Sequence, residues 1–106
     1  MKIEYVSIKE YVLKKLEANL PEIRERFGID TIGIFGSVSR GEDTADSDVD
    51  VMISFRAGSM TMRNFMGLAD FLEELFDRKV DLVTTTGISP YILPYVQTEI
   101  IWMAKV

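Results

Sequence analysis

The stretch GSVSRGEDTADSDVDVMISF, Gly36 to Phe55, closes on a run in which Val49, Val51, Ile53 and Phe55 alternate with Asp48, Asp50, Met52 and Ser54. Period two is the pattern of a strand with one face turned to a core. The other face then carries Asp48 and Asp50, although aspartate is depleted from strands. Side chains two apart on a strand point the same way at roughly 6.5–7 Å, so the two carboxylates aim at one volume. Just upstream, the β-type run TIGIF (Thr31 to Phe35) ends in Gly36 and Ser37. Glycine lets the backbone turn sharply and approach a ligand, and serine adds a hydroxyl and an N–H that suit a phosphate.

A third aspartate sits in a later strand pattern. In KVDLVT, Lys79, Asp81 and Val83 alternate with Val80 and Leu82. If this strand lies beside that of Asp50, Asp81 enters the same volume. Three carboxylates at such range repel one another unless a cation lies among them. Two-metal phosphoryl-transfer sites, built from shared aspartates, place ions roughly 3.5–4 Å apart. Each aspartate opposes local strand propensity, and a metal and nucleotide site gives the whole set one reason.

Outward from this centre, Ser7 with Glu10 reads as a capping box, with Val6 and Tyr11 at staple positions. Ile8, Val12, Leu16, Leu20, Ile23 and Phe27 follow at helical spacing. Pro21 is expected to kink this helix or to open a second one capped by Asn19, and Gly28 to stop it. After a turn at Ala57-Gly58, Met62, Phe65, Met66, Ala69, Leu72 and Phe76 mark another amphipathic helix. A last helix starts at Ser89-Pro90 or one turn later at Pro94, and IIWMAKV fits either a helix or a strand. The order α-β-β-α-β-α predicts an α+β fold: a small mixed β-sheet with helices packed mainly on one face, in a single domain spanning 1–106.

Composition narrows the chemistry. The 106 residues contain no cysteine and no histidine. Thiolate and His-based nucleophilic catalysis are excluded, as are the commonest zinc ligands, which leaves carboxylates, hydroxyls, Lys and Arg. Hard, oxygen-ligated cations such as magnesium are the natural metals. With 17 acidic against 12 basic residues the formal charge is −5, which disfavours nucleic acid as a main partner. No apolar run approaches the ~20 residues needed to span a bilayer, and the charged start is unlike a signal peptide, so a soluble cytoplasmic protein is expected.

Gly36-Ser37, then Arg40-Gly41, then Ser47-Asp48-x-Asp50, with Asp81 on a later strand, resembles the DNA polymerase beta-like nucleotidyltransferase superfamily. Within it the chain is similar to the minimal nucleotidyltransferases, prokaryotic proteins often paired as antitoxins with HEPN proteins. The likeness covers nearly the whole chain, and is looser at Val38 and Ser39, where relatives often carry Arg or Tyr and then Ala. It implies a polymerase-beta-like nucleotidyltransferase fold in which Gly36 and Ser37, with Arg40 and Ser47 beside them, hold ATP. Asp48 and Asp50 would ligate two magnesium ions, or manganese, and Asp81 would complete the metal site and act as general base. The implied reaction is AMP transfer from ATP to a hydroxyl, on a tyrosine of a HEPN ribonuclease partner. Two alternatives stand beside it: neutralisation of that partner by binding alone, and nucleotidyl transfer to RNA or a small molecule.

Other residues read more plainly. Glu42, Asp43 and Asp46 are expected in a solvated loop, Ser47 either orients Asp48 or starts the strand, and Arg40 either touches phosphate or braces the loop. Met60, Met62 and Met66 are expected to fill core, and Tyr91, Tyr95 and Trp102 to form a satellite cluster.

Overall fold

In the computed structural model, which describes residues 4–103, the elements run α1 (Lys9–Phe27), β1 (Ile29–Phe35), α2 (Gly36–Arg40), β2 (Val49–Phe55), α3 (Met62–Phe76), β3 (Val80–Thr84), α4 (Leu93–Glu99) and β4 (Ile101–Trp102). The four strands form one mixed sheet in the order β3-β2-β1-β4. β1 pairs antiparallel with β2 and with β4, while β2 pairs parallel with β3 across the α3 connection. The expected fold class holds, with two elements added: the single turn α2, and the short edge strand β4. Ile101 and Trp102 are thus extended, and the end of the IIWMAKV segment, 104–106, lies outside the described residues.

Alternation in β2 works as its sequence dictates. Val49, Val51 and Ile53 are fully buried on one face, against Val12, Leu16 and Ile23 of α1 and Leu68 and Leu72 of α3 in a single core cluster. Burying each such side chain stabilises the fold by roughly 1.5–3 kcal/mol. On the opposite face Met52 is buried together with Val96 of α4, so three helices do not all share one side.

Several local expectations are overridden by packing. Pro21 lies inside α1 without ending it, because Leu20, Ile23 and Phe27 continue the buried stripe of Val12 and Leu16. Asn19, instead of capping a second helix, donates its side-chain N–H to the carbonyl of Lys15 at 2.8 Å. Pro94, not Pro90, stands in the first turn of α4. Met60, Met62 and Met66 are exposed rather than core, since α3 turns Leu68, Leu72 and Phe76 inward and the methionines fall outside that stripe. Tyr91 and Tyr95 are 87% and 72% exposed and Trp102 is also exposed, so no satellite core forms there.

The capping box at Ser7 and Glu10 is not formed, and Val6 and Tyr11 are both exposed rather than stapled. Asp43, expected in solvent, is buried and caps α1 from a distant loop. Its carboxylate accepts from the Ile8 N–H at 3.1 Å and from the hydroxyls of Tyr5 and Ser7. Burial opposes ionisation of Asp43, yet the Ser7 and Tyr5 hydroxyls and the Ile8 N–H prevail and hold its carboxyl below the ordinary value. The Ser7 hydroxyl also accepts from the Lys9 N–H at 3.1 Å, and the charged Asp43 acceptor beside it complements the helix dipole.

Asp43→Ala therefore destabilises the protein by about 2–3 kcal/mol at neutral pH in urea unfolding, the scale expected for loss of a buried, charged acceptor. Because the native pKa is lowered, Asp43 contributes this stability above the ordinary carboxylate range. The difference from wild type shrinks as pH falls below that range, where the wild-type carboxyl also becomes protonated.

Candidate active site

Strand register assembles the acidic residues. Phe35 of β1 pairs with Asp50 of β2, which pairs with Asp81 of β3, so the three lie in one row across the sheet. Asp48 precedes β2 at the same end and is exposed, as is Asp81, while Asp50 is half-buried. The next row on the same face, two residues along, is Gly33, Met52 and Val83, and its Met52 lines a pocket with Leu93 and Val96 of α4.

Directly after Phe35 the chain turns at Gly36, with φ of +74°. A Cβ built on Gly36 would stand 2.0 Å from Oδ2 of Asp50, so the carboxylate lies against the bare Cα. Glycine is required twice over, by the left-handed backbone and by that close approach. The turn continues into α2, where Val38 and Ser39 are buried, the Ser39 hydroxyl donates to the Gly36 carbonyl at 2.8 Å, and Ser37 stays half-buried. The Gly-Ser turn and the aspartate row therefore meet at Gly36 and Asp50.

Electrostatics follow from this crowding. Burial of Asp50 is the main cause that pushes its carboxyl up to about 6, and the charges of Asp81, Asp48 and Glu99 add to it while Arg40 opposes. Glu99 is a site residue that the sequence reading missed. Its one local signal is an acid in the last turn of α4, where the helix dipole disfavours negative charge. Its carboxylate pairs with Nη1 of Arg40, whose Nε contacts Glu42 at 3.3 Å. Arg40 thus braces α2 against α4.

Ser47 is placed differently. Its hydroxyl accepts from the Thr44 N–H at 2.9 Å, inside the loop, and β2 begins only at Val49. Among the described residues no three acidic side chains stand close enough to form a ready-made metal cage, so Asp48, Asp50 and Asp81 share one end of the sheet without converging on a point.

Comparison with known proteins locates this arrangement. The nucleotidyltransferase domain family matches residues 16–103. The protein adenylyltransferase MntA of Thermococcus cleftensis is 39% identical over 88 residues, covering 83% of this chain and 88% of that relative. A solved structure assigned as a minimal nucleotidyltransferase is 34% identical with a TM-score of 0.68, over 84% of this chain and 93% of its own. A structure of tri-AMPylated Shewanella oneidensis HEPN toxin in complex with MNT antitoxin matches at a TM-score of 0.64 and 21% identity, over 92% of this chain and 73% of the other. That last likeness is one of fold.

Two measurements test the geometry. Gly41 shares a positive φ of +70° but has open space around it, so Gly41→Ala is expected to cost only the left-handed strain, about 1–2 kcal/mol. Gly36→Ala costs more in the same thermal melts, because the Asp50 carboxylate must also move. For Asp50 the sign runs the other way from Asp43: its carboxyl rises from 3.8 to about 6 on folding, so its favourable contribution is full below 3.8 and is lost as pH passes 6. Asp50→Asn is therefore expected to raise Tm at pH 8 and to lose that advantage at pH 4.

Proposed function

The chain belongs to the nucleotidyltransferase domain family, and we propose that it transfers AMP from ATP to a protein hydroxyl, a tyrosine of a HEPN partner, and so acts as that partner's antitoxin. The observation that carries the reading is the meeting of the Asp50 and Asp81 pair with the Gly36-Ser37 turn at one end of the sheet. The adenylyl group and the protein acceptor are taken from the Thermococcus relative, a protein adenylyltransferase, and the HEPN partner from the AMPylated toxin complex.

In this reading the triphosphate lies along the turn at Gly36 and Ser37, where the absent side chain lets phosphate oxygens approach the backbone. Arg40, one turn further along α2, adds a positive charge beside Asp50, and Ser47 shapes the loop that leads to Asp48. Donor chemistry suits a hard dication: three carboxylates share one end of the sheet, and Asp50, raised first by burial and then by the charges of Asp81, Asp48 and Glu99, has only Arg40 to oppose them. Asp48, Asp50 and Asp81 would hold magnesium, or manganese in its place, which supplies charge neutralisation for the phosphates when bound. Asp81 is exposed, so an acceptor hydroxyl can reach it and deliver its proton there. The hydroxyl oxygen forms its bond to the α-phosphorus, the bond from that phosphorus to the bridging oxygen breaks, and pyrophosphate leaves with the electron pair. Positioning and charge account for most of such catalysis.

Label transfer tests the reaction. With a HEPN partner or host lysate as acceptor, label from the α-position of ATP is expected on a discrete protein band, and label from the γ-position is not. Asp50→Asn should lower transfer on the order of 10²-fold or more, the scale of losing an electrostatic contact to the transition state. Transfer from the γ-position, or transfer indifferent to Asp50→Asn, would overturn the mechanism. Partner neutralisation that survives without any transfer would favour occlusion instead.

A further inference from the structure

Asp48 is exposed and lies outside regular structure, in the loop between α2 and β2, yet both of its neighbours are tied to one adjacent pair of residues. Before it, the Ser47 carbonyl accepts from Nη1 of Arg78 at 2.9 Å. After it, the Val49 N–H donates to the Lys79 carbonyl at 2.8 Å. Arg78 and Lys79 directly precede β3, the strand that carries Asp81.

Arg78 does more than touch Ser47. The same Nη1 donates to the Thr44 carbonyl at 3.1 Å, and Nη2 donates to the Tyr5 hydroxyl at 3.1 Å. Thr44 and Ser47 are already joined, since the Ser47 N–H donates to the Thr44 carbonyl at 3.1 Å and the Thr44 N–H to the Ser47 hydroxyl at 2.9 Å. Tyr5 in turn donates to Asp43, and its ring lies under the Arg78 guanidinium at 6.0 Å. The loop from Gly41 to Asp48 is therefore gripped at its last turn by a planar fork of donors, a geometry that an ammonium does not reproduce.

We propose that Arg78 is a positioning residue for Asp48, holding the loop ahead of it so that its carboxylate leaves the chain beside Asp50 and Asp81. The proposal rests on the nucleotidyl-transfer reading for its consequence in catalysis, and on the hydrogen bonds alone for its geometry. Arg78 reaches no substrate in this scheme; it acts through Ser47 and Thr44. The Val49–Lys79 bond and the β2–β3 pairing are backbone contacts that do not use the Arg78 side chain.

The test compares Arg78→Met and Arg78→Lys with wild type in the full chain. Amide exchange followed by NMR is expected to speed up at Thr44 and Ser47 in Arg78→Met, while Val51 and Ile53 in the sheet keep their wild-type rates. Titration with magnesium alone is expected to show about tenfold weaker binding, the usual scale for a residue that orients a metal ligand, with Arg78→Lys intermediate. In the Asp48→Asn background, Arg78→Met should weaken magnesium no further. In turnover, kcat falls while KM for ATP stays close to wild type.

Unchanged magnesium affinity in Arg78→Met, additive effects with Asp48→Asn, or a wild type that takes up no magnesium would each overturn the proposal. So would faster exchange throughout the sheet, which would mark Arg78 as a general support of the fold. A wild type that binds magnesium but transfers no nucleotide would overturn the functional reading alone, since exchange and titration stand without turnover.

Discussion

Parallel pairing of β2 with β3 sets Asp50 opposite Asp81, and antiparallel pairing of β2 with β1 sets the same Asp50 opposite Phe35, one residue before the turn at Gly36. Everything at the candidate site depends on that double register. A slip of one residue in β2 would turn Asp50 toward the core and expel Val49, Val51 and Ile53 from it, at a cost no local contact offsets. The hydrophobic face of β2 therefore fixes the position of the acidic face, and core packing becomes the means by which carboxylates are aimed.

The arrangement opposes its own stability. Asp50 is half-buried, pressed against the Gly36 backbone and faced by the charges of Asp81, Asp48 and Glu99, with Arg40 the opposing charge. The core formed by α1, α3 and the inner face of the sheet absorbs that penalty. Asp43 shows the contrasting use of the same residue type. Its carboxylate is buried with three donors around it and holds the start of α1, so its hydrogen bonds outweigh the cost of burial and strengthen the fold. Donor supply, more than burial, decides which of the two aspartates is structural and which is left with charge to be neutralised.

The positioning network extends this division of labour. Asp43, Tyr5 and Arg78 connect the start of α1, the loop ahead of Asp48 and the junction before β3. Arg40 and Glu99 join α2 to the end of α4. Each pair spans a long separation in the chain, 35 residues from Ile8 to Asp43 and 59 from Arg40 to Glu99. No periodicity or local propensity reports such contacts, which is why Asp43 read as solvated and Glu99 as nothing in particular.

By itself the sequence determined the strand of Asp50, the Gly-Ser turn, the third aspartate in KVDLVT and the mixed α+β order, though it ran the strand back over Asp48, which the structure leaves in the loop; each rests on spacing within a few residues or on a residue type that contradicts its surroundings. Only the tertiary structure decided that β3 lies parallel to β2 with Asp81 in register, that Pro21 is carried through α1 by the stripe on either side of it, and that Met62 and Met66 face outward. It also decided that the last apolar segment adds a strand at Ile101 and Trp102 beside β1, where the pattern fitted a helix equally well. These outcomes depend on which surfaces meet once the chain closes, and a helix or strand pattern fixes only the face an element presents, not the partner that covers it.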